Sequence, residues 1–530
     1  MTTQPGLRIK WIAGVMLLVP GLVIWMLGMT AGAVGAAPIA NSGHAGDATC
    51  FTEINGDNVT DFSSGSSTAL QDAVDAISPG GTVKVAGICS GVQATSGFTQ
   101  TVYISKTIIV QGGYTNTNWL ASSDPDTYPT ILDAQGQGRV VFLPYNITVQ
   151  DVVLDGLHMT NGDAYNVNAG KCGDFGNSGG GAVCLGSARR FTITNSLIDN
   201  SVALNGGGIY RHGGGFALSI VNTTVKSNTA HESGGGVFQA YDTLSIENST
   251  FHNNVATSHG GAIFLGLHQL YINNSTISGN MTLSNGGALA VRFGSDNLWI
   301  DNSTIISNTA NGNGGGIYNF TGQPITLTQS IVALNMDNDS SSPDCSGPIG
   351  TGGYNLVGIL TGCTLTPTVT DTTGQNPQLE ALAQNGGDTR THAPQGGSPV
   401  INAIPGASCV NLQDQRGLPR PANTDCDIGA VEVDYDTYTA TLAITGAGAA
   451  AWLSWNTDPI PCDYELHRSE SPYSGYASIF NSLYDVTYED EAALGNPSLN
   501  YYYYLESTCL AGNGTSNTVG EFDFTVIPGD

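Results

Sequence analysis

A polar phrase recurs at a nearly constant interval through the middle of the chain. Each copy places an Asn after a short alternating apolar stretch, and the successive steps are 27, 26, 26 and 28 residues. This first Asn column comprises Asn195, Asn222, Asn248, Asn274 and Asn302. A second Asn column and a Gly block follow in step with it. A unit of this length is too short to be a domain, so the period predicts a repeat architecture.

Apolar residues alternate with other residues ahead of the first Asn column. One apolar column comprises Leu218, Leu244, Leu270, Leu298 and Ile325, and another Ile220, Ile246, Ile272, Ile300 and Leu327. A period of two indicates a strand with one buried face. Because such a unit can bury that face only by stacking on copies of itself, the sequence predicts an all-β, right-handed parallel β-helix. Its coils would lie about 4.8 Å apart.

The polar residues of the phrase are those that sharp corners require. Asn tolerates the left-handed backbone conformation, and Gly adopts it without strain. An Asn side chain both donates and accepts hydrogen bonds, so stacked copies can bond to one another. The second column therefore predicts a structural Asn ladder of Asn200, Asn228, Asn254, Asn280 and Asn308.

Two segments resemble known surface proteins. The motifs FHNN at Phe251–Asn254 and GGAI at Gly260–Ile263 are similar to the paired repeats of chlamydial polymorphic outer membrane proteins. The segment Asn376–Glu432 resembles the end of the choice-of-anchor Q domain. Together the two resemblances cover roughly residues 68–434. They imply a right-handed β-helix at a bacterial surface, and they imply no activity.

The chain divides into three predicted parts. Residues 1–36 carry two basic residues, a long uncharged stretch and then small residues, which is typical of a signal peptide or, if uncleaved, of an N-terminal membrane anchor. Residues 48–434 form the β-helix with its end caps, and the disulfide-bearing segments beyond Asn335 are expected to close its far end. The apolar stripe Leu70, Ala73, Val74 and Ile77 predicts a short N-terminal capping helix.

The last part, residues 437–530, has short alternating stretches separated by turn signals. This pattern predicts a small β-sandwich. The segment resembles a fibronectin type III module, in which Trp455 takes the place of the buried Trp and Tyr501–Tyr504 lies in the penultimate strand. The resemblance implies a spacer or a binding module.

Ten cysteines fall in sequential pairs, which predicts five local disulfides in an exported chain. The predicted pairs are Cys50 with Cys89, Cys172 with Cys184, Cys345 with Cys363, Cys409 with Cys426, and Cys462 with Cys509. Free buried thiols are the alternative. The spacing of the cysteines does not match a zinc site.

Composition narrows the class of partner. The chain has 15 Lys and Arg against 43 Asp and Glu, for a formal net charge of −28. Because a binder of phosphates needs a basic patch, nucleic acid is excluded as a partner. We predict a secreted or cell-surface location and no cofactor. Calcium is compatible with the acidity, without a specific motif. Membrane contact is confined to the N-terminal segment, and the sequence does not define an oligomeric state.

Aromatic residues are the main candidates for ligand binding. Tyr271 and Trp299 occupy the column between the two inward apolar columns, so they are expected to point outward on adjacent coils and to bind a sugar ring. A chance pair of surface aromatics is the alternative. A further column comprises Tyr210, Phe238, Phe264 and Tyr318, interrupted by Ala290. Whether it faces inward is not decided by the pattern, and core packing is its expected role.

Catalysis is the alternative to binding. Parallel β-helices include pectate lyases and other polysaccharide lyases and hydrolases, but a fold alone does not define an activity. The cationic residues Arg189, Arg190, Arg211, Lys226 and Arg292 share no common column by their spacing. The histidines His212, His231, His252, His259 and His268 do not stack either, and are expected to lie scattered on the surface.

These patterns favour a non-enzymatic protein for adhesion or glycan binding, with an extracellular glycan or a cell-surface molecule as its partner, no catalytic residue and no metal. An outward cluster of carboxylates with an Arg or Lys would favour an enzyme. A bare polar wall with aromatics would favour binding. The segment Asn161–Ser178 interrupts the period and is expected to project as a loop, where function often lies.

Overall fold

Short parallel strands, stacked coil upon coil, form most of the protein in the computed structural model. The structure describes residues 49–145, 149–166, 169, 172, 179–186, 188–211, 217–266, 269–292, 297–338, 340–422, 424–433, 442–447, 450–455, 462–471, 475–482, 487–490, 501–509, 512–516 and 519–520. The predicted signal segment 1–36 lies outside these residues. Within the described ranges, no helix is both long and apolar enough to cross a bilayer.

Each regular coil contributes one strand to each of four walls, numbered here in chain order. Wall 1 comprises Ile108–Gln111, Val149–Asp155, Ala188–Thr194, Ala217–Val221, Thr243–Glu247, Gln269–Asn273, Asn297–Asp301 and Ile325–Thr328. Wall 2 comprises Thr130–Asp133, Leu157–Thr160, Leu197–Asp199, Thr224–Lys226, Thr250–His252, Thr276–Ser278, Thr304–Ile306, Ile331–Ala333, Leu356–Val357 and Thr372–Thr373. The longer strand Thr82–Ser90 takes part in both walls.

Walls 3 and 4 complete the coil. Wall 3 is narrow and comprises Val202–Ala203, Thr229–Ala230, Val255–Ala256, Met281–Thr282, Thr309–Ala310 and Met336–Asp337. Wall 4 comprises Gln93–Thr95, Phe98–Tyr103, Arg139–Phe142, Val183–Leu185, Ile209–Arg211, Val237–Gln239, Ile263–Leu265, Leu289–Val291 and Ile317–Asn319. The long strand Cys345–Gly353 joins walls 4 and 1, and Cys363–Thr364 pairs with it.

The N-terminal end of the solenoid is covered by a helix, as predicted. This helix, Thr68–Ala76, buries Leu70, Ala73 and Val74. The preceding strands Cys50–Glu53 and Phe62–Ser64 pair antiparallel with each other, and the first also pairs with Thr82–Ser90. The helix therefore closes the apolar interior where no earlier coil exists. The predicted fold class, a right-handed parallel β-helix with a capping helix and a small β-sandwich, is confirmed.

The interior of the solenoid is lined by aliphatic residues in register. The wall 4 members of this lining, Ile209, Val237, Ile263, Leu289 and Ile317, are all fully buried in one core. Their neighbours Tyr210, Phe238 and Phe264 therefore point outward, because adjacent residues of a strand face opposite sides. The column does not fill the solenoid interior, but it keeps a packing role outside it. Tyr210 is buried with Phe142, Cys172 and Cys184, and Phe238 packs against this second cluster.

The predicted Asn ladder runs along the corner between walls 2 and 3. Asn228, Asn254, Asn280 and Asn308 are buried, and each Nδ2 donates to Oδ1 of the next Asn at 2.9–3.1 Å, with Asn335 as the next member. Nδ2 of Asn254 also donates to the carbonyl oxygen of Val225 at 2.9 Å. The ladder ends where Asn335 donates to Oδ1 of Asp344 at 3.0 Å.

Asn200, the first predicted member, does not belong to the ladder. Its side chain is exposed, and its φ of 52° matches the φ of 54° at Ser227 one coil later. Ser201 takes the ladder position instead, and its backbone N–H donates to Oδ1 of Asn228 at 3.1 Å. The prediction was one residue out of register, because Asn suits the left-handed corner position as well as the neighbouring ladder position.

The first Asn column forms the corner between walls 1 and 2. All five residues have a left-handed backbone, with φ of 45–49°. The Gly block performs the same turn before wall 4, where Gly260 has φ of 67°. Close approach between coils is a second requirement there, since a Cβ at Gly207 would lie 2.5 Å from the carbonyl oxygen of Thr229. Both corners therefore exclude most side chains.

Among the described side chains, four disulfides join Cys50 to Cys89, Cys172 to Cys184, Cys345 to Cys363, and Cys409 to Cys426. Each closes a local loop between sequential cysteines. Cys462 and Cys509 lie directly opposite each other on paired antiparallel strands, while their side chains lie outside the described residues. Their disulfide stays a prediction.

The sequence suggested that the disulfide-bearing segments close the far end of the solenoid. The segment after Cys363 takes a different course. It contains the short strands Ile404–Pro405 and Asp425–Cys426 and the 3₁₀ turn Gly406–Ser408. It runs back along the outer face of wall 2, where Gln415 Oε1 accepts a hydrogen bond from Thr276 Oγ1 at 2.6 Å and the backbone N–H of Ala430 donates to Thr304 Oγ1 at 3.1 Å. We call residues 379–433 the return segment.

The C-terminal part forms two antiparallel sheets. One comprises Leu442–Ala447, Ala450–Trp455 and Thr487–Asp490, and the other Cys462–Ser469, Ala477–Ser482, Tyr502–Cys509, Gly512–Thr515 and Val519–Gly520. Trp455 and Tyr503 are buried in their common core, and the Tyr503 hydroxyl donates to Oδ2 of Asp490 at 3.0 Å. This bond joins the two sheets.

Candidate functional site

An open groove on the outer face of wall 2 brings together several charged side chains. We call it the charged groove, and its volume is about 560 Å³. Its charged and imidazole lining comprises Asp124, Asp126, His158, Lys226, His252, Asp388 and Arg390. Asn195, Asn222 and Thr224 add neutral donors and acceptors. Neither sign of charge dominates, which suits a polar ligand rather than a polyanion.

Two segments outside the wall strands contribute to the lining of the groove. They are the loop around residues 123–129 and residues 384–390 of the return segment. The return segment is held to wall 2 by Thr250, whose Oγ1 donates to the Arg390 carbonyl oxygen at 2.6 Å, and by Thr389, whose Oγ1 donates to the Asn248 carbonyl oxygen at 3.0 Å. The groove therefore lies where the cover over wall 2 ends.

Asp199 is a buried charge beneath two residues that line the groove, His158 and Lys226. Its Oδ1 lies 2.9 Å from Nε2 of His158 on the preceding coil, and its Oδ2 lies 3.8 Å from Nζ of Lys226 on the following coil. Burial acts to raise the pKa of Asp199, but the hydrogen bonds from His158 and Thr160 and the electrostatic attraction of His158 and Lys226 outweigh it and lower the pKa. Asp199 is therefore an ionised acceptor that orients the imidazole of His158.

His252 continues the same column as Asp199 and Lys226. Burial, together with the charges of Lys226 and Arg390, lowers the pKa of His252 to about 4. Its imidazole is therefore neutral at physiological pH. The expectation that His252 lies on the surface is wrong, because its side chain is buried. Lys226 aligns with Asp199 and His252, a relationship that the sequence analysis did not predict. Alignment on the second Asn column shows the relationship, because each residue precedes the ladder position by two.

The predicted pair Tyr271 and Trp299 lies on a different face. The two residues are opposite each other on neighbouring strands of wall 1, and both are half-buried. Their ring centroids are 5.2 Å apart, with an angle of 40° between the ring planes. The two rings therefore contact each other on the outer face of wall 1. Because they are inclined by 40°, they cannot both lie flat against one sugar ring.

The aromatic column of wall 4 forms a second groove. The ring of Phe238 stacks on those of Tyr210 and Phe264, with centroids 5.1 and 4.9 Å apart. A cavity of about 540 Å³ lies over Phe238 and Phe264, with Glu232 and Arg292 also in its lining. The ring of His259 lies 6.4 Å from Phe264 and 6.3 Å from Tyr318, beside the interruption at Ala290. The sequence pattern does not decide whether these rings face inward or outward, and the structure places them outside the solenoid core.

Other predicted candidates are only partly described. His231 stacks on Tyr165 with centroids 3.9 Å apart. His212 and His268 lie outside the described residues, as do parts of the segment 161–178. Arg139 fastens that segment, because its guanidinium donates to the carbonyl oxygens of Ala169 at 2.6 Å and Gly179 at 2.9 Å.

The coils, their corners and their walls define a right-handed parallel β-helix repeat protein. The family model described as "Right handed beta helix region" matches residues 155–338, which hold the regular coils. The solved structure "The crystal structure of a Fn3-like protein from Clostridium thermocellum" is similar to 16% of this chain and 88% of that chain, with 20% sequence identity and a TM-score of 0.14. No curated protein matches this chain.

Proposed function

We propose that this chain is an exported or cell-surface protein that binds extracellular glycan chains, with the charged groove as its principal site. The observation that carries the proposal is the lining of the groove, which offers donors and acceptors around a volume of about 560 Å³. Sugar hydroxyls need both kinds of partner. Ligand sites commonly have volumes of roughly 300–1,000 Å³.

Export and adhesion are supported by the construction of the chain. Four disulfides suit an oxidising compartment. The predicted signal or anchor segment 1–36 would direct the chain there. A solenoid of stacked coils is a rigid stalk, and the C-terminal sandwich, which resembles a fibronectin type III module, would serve as a spacer or as a second binding module.

The wall 1 pair would serve as an accessory surface. Because its rings are inclined by 40°, one ring rather than both would stack on a sugar. Such a contact contributes about 1 kcal/mol. Useful binding would then depend on several sites along one glycan or on many copies at a surface.

A glycan array probed with residues 37–530 tests the proposal. We expect binding to a defined set of glycans, and a loss of at least tenfold in affinity for Arg390→Gln, whose exposed side chain lines the groove. Arg189→Gln is the matched control, because Arg189 is exposed on wall 1. Absence of glycan binding by the unaltered chain, or an equal loss in both variants, would refute the groove as the site.

A polysaccharide lyase or hydrolase is the second candidate. It is favoured by one observation: a buried carboxylate, Asp199, holds the imidazole of His158 at the edge of an open groove, beside Lys226. A carboxylate-oriented imidazole is suited to general acid–base catalysis. Release of shortened products from acidic and neutral polysaccharides, lost in His158→Asn, would support this candidate. Equal release by both proteins would exclude His158 as its acid or base.

A further inference from the structure

A cluster of metal-ligating groups lies on the C-terminal sandwich, away from the coils. Glu465 and His467 belong to the strand Cys462–Ser469, and Glu506 to the paired strand Tyr502–Cys509. Glu465 lies directly opposite Glu506, and His467 directly opposite Tyr504. One ligand atom from each of Glu465, His467 and Glu506 lies within 4.8 Å of the other two. We propose that these three residues bind a divalent transition-metal ion, with Zn²⁺ as the best match.

The arrangement leaves two problems that a cation would remove. Carboxylates directly opposite each other on neighbouring strands repel. Nε2 of His467 is buried without a hydrogen-bond partner, although Glu506 Oε2 lies 3.5 Å away and Glu465 Oε1 lies 3.9 Å away. A divalent cation between the three groups would neutralise the carboxylates and accept the lone pair of the neutral imidazole.

Tyr504 supports two of the three ligands. Its ring stacks on the imidazole of His467, with centroids 4.7 Å apart and planes inclined by 5°. Its hydroxyl donates to Oε1 of Glu506 at 3.2 Å, which leaves Oε2 directed to the imidazole side. Tyr476 in turn packs edge-on against Tyr504, with centroids 4.7 Å apart. Outer groups that fix ligand orientation are typical of built metal sites.

The donor set identifies the class of ion. One imidazole and two carboxylates suit Zn²⁺ and similar transition ions, whereas Ca²⁺ prefers six to eight oxygens. Zinc bonds of about 2.0–2.2 Å require the three side chains to converge slightly. Glu465 and Glu506 are about half-exposed and can rotate to do so. The spacing of cysteines and histidines predicted no zinc site. The proposed site escapes such a pattern, because it combines Glu-x-His on one strand with a Glu that strand pairing supplies.

Isothermal titration of residues 37–530, with tags removed, by zinc chloride at pH 7.5 tests the proposal. We expect one Zn²⁺ per chain, and a loss of at least tenfold in affinity for Glu465→Gln and for His467→Gln. Tyr504→Phe should lose roughly tenfold, since outer-group changes typically cost 10–100-fold. Glu489→Gln is the matched control, because Glu489 is exposed on the other sheet of the sandwich.

A second measurement uses only the unaltered chain, so its result does not depend on whether the variants fold. Co²⁺ bound by the unaltered chain should show visible absorption that Zn²⁺ abolishes. A protonated His467 between the two carboxylates would satisfy the same groups without a metal, and it predicts no uptake. The proposal is overturned by no uptake, by equal uptake in the cluster variants and Glu489→Gln, or by uptake of Ca²⁺ in place of Zn²⁺.

Discussion

Nε2 of His158 lies 2.9 Å from Oδ1 of Asp199 across two neighbouring coils of wall 2. The side chain of Asp199 is 6% exposed, and Lys226 approaches it from the opposite side. An ionised carboxylate this deep needs such partners, because an unpaired buried charge is costly. The relationship joins three successive coils beside the charged groove.

Asp199→Asn is therefore expected to destabilise the solenoid by about 1–3 kcal/mol at pH 7, because the imidazole and the ammonium lose their shared partner. Since the folded-state pKa of Asp199 is lowered, its contribution is present above the unfolded pKa and disappears as the pH falls through the folded pKa. Urea denaturation at pH 7 and at pH 3 should show a smaller difference at pH 3. Asp151→Asn, which breaks the exposed pair with Arg190, is the control and should change stability far less. Equal effects of the two changes would contradict the burial argument.

Asn254→Leu tests the Asn ladder. Asn254 is fully buried and donates to Asn280 and to the carbonyl oxygen of Val225. Its loss leaves corner groups without partners, so the free energy of unfolding should fall by roughly 1–3 kcal/mol. Asn311→Leu, at an exposed position whose side chain makes no hydrogen bond to the described residues, should leave the melting temperature nearly unchanged. An unchanged melting temperature in Asn254→Leu would show that the ladder is not required.

His252→Gln tests whether the imidazole of His252 is desolvated in the folded protein. The folded-state pKa of His252 is lowered from 6.5 to about 4, so its contribution to stability is present above pH 6.5 and is lost as the pH falls towards 4. The variant lacks this titration. The stability of the variant relative to the unaltered protein should therefore rise between pH 7.5 and pH 4.5 in urea denaturation. Parallel stability profiles would mean that His252 is hydrated.

Tyr271→Ala combined with Trp299→Ala tests the wall 1 pair. Both side chains are half-buried on the outer face, so the melting temperature should change little while glycan or cell-wall binding weakens. The single changes should differ, because only one of two inclined rings can lie flat on a sugar. Trp452→Ala removes an exposed Trp of the sandwich and serves as the control. Unfolding of the double variant would show that the pair has a packing role. Unchanged binding would show that the pair lies on the surface but does not bind glycan.

Non-reducing peptide mapping tests the remaining cysteine pair. Cys462 and Cys509 are opposite each other in the antiparallel register, so a direct link between them is expected. All ten cysteines should then occur in five local links. A link from either residue to a cysteine of the β-helix would contradict the assignment of 437–530 as a separate domain.

The sequence by itself determined what depends on one coil and its neighbour. The inward columns, the left-handed corners and most of the Asn ladder follow from contacts at a constant offset of 26–28 residues, and a repeated contact leaves a period in the chain. Even there, Ser201 rather than Asn200 holds the ladder position, because two adjacent positions favour the same residue type.

Only the tertiary structure decided where the surface is covered and which charges meet. The contact of Thr250 with Arg390 spans 140 residues, and that of Gln415 with Thr250 spans 165. Such contacts occur once, so they leave no period, and they place the charged groove at the edge of the return segment. The same holds for Glu506, which lies beside Glu465 and His467 because strand register, rather than spacing along the chain, puts them on one face.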